Sequence, residues 1–459
     1  MKFQDVGLMT LALCALLGSM SYAGGPSGGS SAAVLVKLTD KDQFSAANVT
    51  IHVGQTVHWS NASQSVHTVT NDPKLAAYAS DASLPPGATA FNSGFLTPGM
   101  SYGHTFTLPG IYHYFCVPHE SVGMVGIITV LPAGAPQTGP QTMTTQGPSA
   151  EATPTVVSTT FFPSHVYVTL QRTGAVEEFP EQRVWSGYPQ AHYISSGPDG
   201  RVVLIGGFQN GDVYIANGRT GKKRATLHVG GLIQGVMVDP SGRYGLAIDA
   251  SGSRVAVIDL TLMKIIHSIA VGKTPHNAVF SKDGSVAYVT IQAGRALDVI
   301  DMKRFAIVRI IPLTQINGPH NVDRTSDGKT LWIRSYGAPD TAGEAAAVDV
   351  RNGRVKGVVK VGLYHGGIDI RPAGTFVFTT NIGGDTVDVV DPHTYQVVNR
   401  ITVGAGPHGI RQSADGRWVY VSSTRANTLI VINAATRKIE ETLPLKGVDP
   451  FWMTVVGNV

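Results

Sequence analysis

The sequence predicts an all-β protein in two parts, a small β-sandwich followed by a seven-bladed β-propeller whose two chain ends share one blade. Three observations carry this. A period of about 43 residues runs through the last two thirds of the chain. Residues 33–132 alternate β-branched or aromatic with polar residues in short runs bounded by Gly or Pro. Only 14% of the 459 residues are charged while Gly reaches 53 and Pro 26, a balance suited to short strands and tight turns rather than long surface helices.

Residues 1–23 read as an export signal: Lys2, an apolar stretch from Val6 to Leu17, and the small-residue site Ser21-Tyr22-Ala23. This predicts a periplasmic protein. Cys14 follows the bulky Leu13, which does not suit a lipoprotein site. With the signal removed, Cys116 is the only cysteine, so an intramolecular disulfide is excluded. An unpaired thiol in an oxidising compartment calls for an occupant, and a metal is one.

In the sandwich, strands are expected at Ala33–Leu38, Val49–Val53, Thr56–Ser60, Ser101–Phe106, Gly110–Phe115 and Val125–Val130. Residues 133–160 are rich in Pro, Thr and Gln with one charge, Glu151, and read as a linker. Its random-coil reach is on the order of 30 Å, enough to let the two parts touch. The net charge of +4 contains no Lys/Arg run, which argues against nucleic acid, and no segment after the signal approaches a membrane span.

The propeller spans 161–459. Its units align on a turn glycine: Gly200, Gly242, Gly284, Gly328, Gly374 and Gly416. The first repeat-like segment, His165–Gln171, matches the second strand of a unit, and the missing first strand is supplied by Phe451–Val456 at the far end. The two ends therefore close one blade and remove the free edges of the ring.

Two candidate redox sites follow. Cys116, His119 and Met124 end one strand, occupy one loop and open the next, offering a thiolate, an imidazole and a thioether. A type 1 copper centre needs one further imidazole, and His67 is the best placed upstream. His52, His58, His104 and His113 read as ordinary strand histidines. The single cysteine excludes a dinuclear thiolate-bridged copper site.

The second site is a ring. His192, His276, His320 and His408 each fall eight residues before the turn glycine, and His365 falls nine before Gly374; Gln234 and Phe451 take the other two places. Across a propeller axis these side chains face one another, and His276, His320, His365 and His408 come from consecutive blades, an arc suited to copper. Asp249, Gln292, Arg334, Tyr336, Asn381 and Arg425 lie in neighbouring loops as candidates for substrate binding or acid–base roles. A structural ring, in which each histidine only hydrogen-bonds the next blade, is the competing reading.

Residues 33–132 resemble the plastocyanin branch of the cupredoxins through Gly110, Tyr112, Cys116, His119, Met124 and Gly126. The resemblance implies a Greek-key sandwich, one type 1 copper and a redox partner protein such as a small cytochrome or cupredoxin. That family commonly follows its first histidine with Asn; Thr68 stands here, which bears on tuning of the site rather than ligation. The repeats resemble YVTN-type propellers through Tyr288-Val289-Thr290, Tyr420-Val421-Ser422 and Asn427–Ile432, a likeness that implies fold more than function. The pairing of domains is loosely similar to nitrous oxide reductase, with the domain order reversed, no second cysteine in the carrier and no His-His pair. The expected function is an exported copper oxidoreductase relaying electrons between the type 1 site and ring copper that acts on a small inorganic nitrogen or sulfur compound. The alternative is a non-catalytic electron carrier whose propeller docks a partner. The sequence leaves oligomeric state open.

Overall fold

Every turn glycine of the 43-residue period has a left-handed backbone, with φ between 68° and 73° at Gly200, Gly242, Gly284, Gly328, Gly374 and Gly416. A residue with a Cβ is strained there, so glycine marks the hairpin between the first and second strand of each unit. The computed structural model describes residues 34–39, 43–63, 67–76, 81–122, 124–133, 159–336 and 341–457. The expected export signal and nearly all of the expected linker lie outside the described residues.

The N-terminal part is a sandwich of two sheets. One orders strands Gln43–Phe44, Val34–Thr39, Thr56–Asn61 and Ser101–Thr105; the other orders Asn48–His52, Val125–Leu131 and Gly110–Phe115. Two pairings are parallel, Val34–Thr39 with Thr56–Asn61 and Asn48–His52 with Val125–Leu131, as crossed connections between sheets require. The alternating faces of these strands bury Val36, Leu38, Ile51, Val57, Trp59, Tyr114, Ile128 and Val130 between the sheets.

The rest is seven four-stranded sheets arranged as a propeller. Six are built from consecutive strands, the innermost being Ala191–Ser196, Ile233–Val238, Pro275–Phe280, Pro319–Arg324, Ile368–Asp369 and Pro407–Gln412. The seventh joins the C-terminal strand Pro450–Val455 to Val166–Leu170, Ala175–Phe179 and Arg183–Ser186. This is the shared blade expected from the sequence. Phe162, stacked between Phe179 and Tyr420, bolts the entering chain across the seam of the first and last blades.

The innermost strands carry an irregularity at one fixed place. The pairing register slips just at the ring position in six of the seven, as between Pro275 and Ala278, Pro319 and Val322, or Pro407 and Ile410. A bulge leaves ladder groups unpaired and re-aims a side chain. A hydroxyl from the second strand fills the gap. Thr290 Oγ1 accepts the Asn277 N–H at 2.9 Å and donates to the His320 carbonyl of the next blade at 2.7 Å. Thr380 does the same between Gly367 and His408, Thr169 between Trp452 and His192, and Ser422 between Gly409 and Phe451.

Replacing Thr290, which is fully buried, by valine keeps the shape but strands both partners, at a cost of about 1–3 kcal/mol. The expected result is a lower urea midpoint for the propeller with the sandwich unaffected; an unchanged midpoint contradicts the clamp.

Candidate functional site

The sandwich brings three ligand atoms to one point. His67 Nδ1 lies 3.0 Å from His119 Nδ1, and Cys116 Sγ lies 3.6 Å and 3.4 Å from them. An ion at the middle of that triangle sits about 2 Å from each, the length of ordinary imidazole and thiolate bonds to a first-row metal. Two imidazole lone pairs and a sulfur facing one another at these distances fit a cation between them. Met124, fully buried, is held at the site by its backbone: its carbonyl accepts the Cys116 N–H and its N–H donates to the His119 carbonyl.

The strands explain this convergence. Cys116 follows Gly110–Phe115, His119 lies in the short 3-10 turn Val117–Val122, and Met124 precedes Val125–Leu131. The other ligand arrives because the segment around His67 bridges to Leu96, and Thr70 pairs with Phe115. The outer nitrogen of His67 is within 2.8 Å of Ser63 Oγ, which donates in turn to Asn61 Oδ1 at 2.8 Å. This chain leaves the Nδ1 lone pair for the metal. Nothing in the motif spacing pointed to Ser63 or Asn61. Thr68 links the ligand loops: its N–H faces Cys116 Sγ at 3.3 Å and its hydroxyl accepts the Val117 N–H at 2.7 Å. Burial pushes His119 down to about 4, so it is neutral and ready to ligate near pH 7. His67, Cys116, His119 and Met124 form a type 1 copper site.

At the propeller axis the bulges turn His192, His276, His320 and His408 inward, and all four are buried. Neighbouring rings touch: His276 and His320 stack with centroids 3.5 Å apart, His320 and His365 lie at 4.8 Å, and His365 and His408 at 5.3 Å. Phe451 fits between His408 and His192, at 3.9 Å and 3.8 Å. His365 thus belongs to the arc despite its extra residue of spacing, because its blade's innermost strand is cut to Ile368–Asp369 and Gly366-Gly367 absorb the difference.

Burial is the first cause that holds all five imidazoles neutral, with His276 and His408 pushed down to about 3. His192 Nδ1 is paired with Gln171 Oε1 at 2.7 Å and His320 Nδ1 with the Asn321 amide at 3.0 Å. Nδ1 of His276, Nδ1 of His365 and both nitrogens of His408 are buried without a hydrogen bond of ordinary geometry. Such atoms call for an ion or a water. His276 and His320 nonetheless meet face to face, and His365 meets His408 edge-on, rather than converging their nitrogens on one point. Among the described residues, three ligand atoms come within 4.8 Å of one another at His67–Cys116–His119 and at His165–Glu178–Glu181, and in the latter Glu178 is already paired with Arg183 at 2.6 Å.

The loop residues sort by what they touch. Asp249 accepts from Arg254 Nε at 2.9 Å and from the Gly252 N–H, Arg334 donates to the Tyr364 carbonyl at 2.9 Å and to Asn381, and Arg425 pairs with Asp385 at 2.6 Å. These three are committed to holding loops. Tyr336 lies on the ring, 5.3 Å from His320 and 4.9 Å from His365, with its hydroxyl 3.1 Å from that of Tyr364. At the same mouth Arg172, next to the Gln171 that holds His192, forms an ion pair with Asp81 of the sandwich at 2.9 Å.

Comparison with known proteins bears on both parts. Residues 32–131 match the family described as copper binding proteins, plastocyanin/azurin family. Over 91 residues the chain is 37% identical to plastocyanin of Scenedesmus fuscus, covering 19% of this chain and 85% of that one. It is 36% identical over 87 residues to chloroplastic plastocyanin of Tetradesmus obliquus, covering 19% and 57%. A solved structure of Kuenenia stuttgartiensis hydrazine synthase superimposes with a TM-score of 0.53 at 19% identity, covering 58% of this chain and 90% of that one, a likeness of fold alone. Among the described residues no helix is long and apolar enough to cross a membrane.

Two outcomes are expected. Cys116→Ser removes the intense thiolate-to-copper absorption while the propeller's unfolding midpoint stays unchanged; a retained blue band contradicts the ligand assignment. In the metal-free protein, the unfolded chain takes up protons below about pH 6.5 that the buried imidazoles refuse, so each such histidine lowers stability by about 1.4 kcal/mol per pH unit on acidification. Asp369 and Glu177, pushed up to about 7 chiefly by burial, act in the opposite sense. Comparing wild type with His408→Gln isolates one histidine: the variant's urea midpoint falls less steeply between pH 7 and about 4.5, and parallel slopes refute the neutral assignment.

Proposed function

Because residues 32–131 make this chain a member of the plastocyanin/azurin family of copper-binding proteins, we propose that it is an exported copper-dependent oxidoreductase. Its type 1 site relays single electrons to or from a second copper site in the histidine mouth of the propeller. There a small inorganic nitrogen or sulfur compound is transformed. The observation that carries this is the set of buried imidazole nitrogens on His276, His365 and His408 that make no hydrogen bond of ordinary geometry with the protein. Copper bound there would supply one-electron chemistry at a position open to substrate.

The chain's own residues prepare the site in three ways. Burial keeps the imidazoles deprotonated, so their lone pairs remain available well below neutral pH. The hydroxyl clamps on the carbonyls of His192, His320 and His408 fix the backbone from which the rings project. Tyr336, stacked on His320 and His365 and partly exposed, closes one side and presents a hydroxyl to whatever enters. The ion pair of Arg172 with Asp81 supports delivery at this mouth, since Arg172 follows the strand whose end pairs with Pro450, at the histidine end of the blade.

A second reading is favoured by the stacking of His276 on His320, which uses ring faces and brings no three nitrogens together. Here the ring is architecture, the propeller docks a small cytochrome or cupredoxin, and the chain is a tethered electron carrier.

The full-length Cys116→Ser protein, blank at the first site, separates the two. Expressed with copper and dialysed, it is expected to retain at least one copper per chain, and the His320→Ala/His408→Ala pair added to it is expected to retain none. In a chain with Cys116 intact, that pair abolishes turnover and leaves the blue band. No copper in Cys116→Ser, with one in wild type, rejects the enzyme reading in favour of the carrier.

A further inference from the structure

One blade departs from the pattern that builds the inner rim. Where first and second strands pair, Ile291 faces Pro275, Ser423 faces Pro407 and Leu170 faces Pro450, and the residue before each is a clamp hydroxyl: Thr290, Ser422 and Thr169. In the blade that carries His320, Ser335 faces Pro319 and the residue before it is Arg334. A guanidinium therefore stands where the rim elsewhere uses a hydroxyl, beside the bulge that presents His320.

Arg334 is fully buried, and the chain is built around it, since a Cβ on Gly343 would run into the guanidinium. Its terminal nitrogens donate to the carbonyls of Tyr364 at 2.9 Å and of Gly362 and Glu344 at 3.4 Å, to Asn381 Oδ1 at 3.2 Å and, at 3.5 Å, to Ser335. The side chain thus holds its loop, yet every acceptor is uncharged, and its Nε–H has none. The two carboxylates whose charge it feels are paired with other cations, Glu344 with Lys360 at 2.5 Å and Asp388 with Arg400 at 2.6 Å. Burial pushes Arg334 down to about 10, so it stays charged near pH 7. A clamp needs hydrogen bonds and no charge, whereas a buried cation without a counterion is costly.

The charge falls on the mouth of the ring. Arg334 is among the groups that disfavour protonation of His320 and His365, and the carbonyl it grips most closely belongs to Tyr364, the residue before His365. Tyr336, 42% exposed, and the half-buried His365 put this end of the ring at the surface. A neutral imidazole has one N–H and one lone pair. The lone pair suits a copper ion; the N–H calls for an acceptor. At His408 neither nitrogen makes a hydrogen bond of ordinary geometry, and the carbonyl of Phe451, the backbone it meets, is already engaged by Ser422 Oγ at 3.2 Å. A metal alone would add positive charge beside Arg334 and leave such a donor unmet, whereas an anion answers both needs. Ring centroids 3.5 to 5.3 Å apart along His276, His320, His365 and His408 leave room only for a guest of a few atoms.

From these observations we infer that the histidine mouth binds one small inorganic anion beside His320 and His365, held by the charge of Arg334 and by imidazole N–H groups, and that the compound transformed there is such an anion and not a neutral molecule. The second half rests on the oxidoreductase reading; the binding itself does not. Arg334 acts as a positioning residue through its charge while its terminal N–H groups stay on the loop. No bond is made or broken in the binding step.

Calorimetric titration of the full-length protein tests this in two forms, copper-loaded and freed of metal by chelation, with sodium nitrite and sodium azide as anions and formamide as a neutral molecule of nitrite's size. At least one anion is expected to bind saturably at one site per chain in both forms, and more tightly once copper is loaded. Formamide is expected to bind on the order of tenfold more weakly, or not at all. Arg334→Gln weakens anion binding on the order of tenfold, and Arg334→Lys, which keeps the charge but loses the fork that holds the loop, retains most of it. Saturable binding of neither anion in wild type overturns the inference and needs no variant to fold. Equal affinity for formamide, or unchanged affinity in Arg334→Gln with an intact melting curve, overturns it as well. The oxidoreductase reading fails separately: one copper per chain in wild type, with the same anion affinity in both forms, rejects that reading and leaves the anion site standing, whereas two coppers with no anion bound rejects the anion site alone.

Discussion

One hydrogen-bond pattern recurs in four of the seven blades and fixes the backbone of the ring residues His192, His320, His408 and Phe451. A hydroxyl on the second strand of a blade takes the N–H left over by the bulge in its own innermost strand and gives its proton to the carbonyl of the ring residue in the next blade. The bulge is what turns the ring residue toward the axis, and by itself it would leave buried ladder groups unsatisfied. The Thr or Ser that ends the Tyr-Val-Thr pattern repairs this loss and also couples blade to blade. Sheets that contact only their neighbours thus share one rigid inner rim, and five histidines from five blades lie in contact with that rim's other members rather than splayed at five independent loop tips.

The sandwich reaches the same end by a different route. Its ligands come from a strand end, a turn and a bridging loop, and no ladder fixes them all. What holds them is a net of short bonds between loops: Thr68 to Val117, the Cys116 N–H to Met124, and the His67 imidazole to Ser63. These bonds hold the ligand atoms within 3.6 Å of one another. Preorganisation of this kind suits a carrier that must change charge without moving atoms. The propeller ring is the contrasting case, in which the backbone is fixed and the imidazoles pack on one another, His276 face to face on His320 and His365 edge-on to His408.

Most of this was legible in the sequence wherever a feature repeats or has a fixed spacing. The turn glycines, the shared blade, the histidine register and the Cys116–His119–Met124 spacing all came from counting residues, because β-pairing and hairpin turns translate sequence offsets into space almost without change. What escaped has no offset of its own. Ser63 and Asn61 behind His67 lie in a loop with no periodic signal. Asp249, Arg334 and Arg425 sit where substrate-facing groups would sit, yet each is tied to its neighbours, Asp249 to Arg254, Arg334 to loop carbonyls and Arg425 to Asp385.

The shared blade also dictates an order of events during biosynthesis. Thr169 bonds the Trp452 carbonyl across 283 residues of sequence, so the strand Val166–Leu170 exposes an unpaired edge until nearly the whole chain has emerged. A bare edge next to six newly folded blades is an invitation to pair with another chain. The sandwich, complete within the first third of the chain, has no such wait. Its copper pocket is therefore formed while the propeller is still an open arc, and any helper that guards the nascent protein has most to protect at the one edge that the last strand will cover.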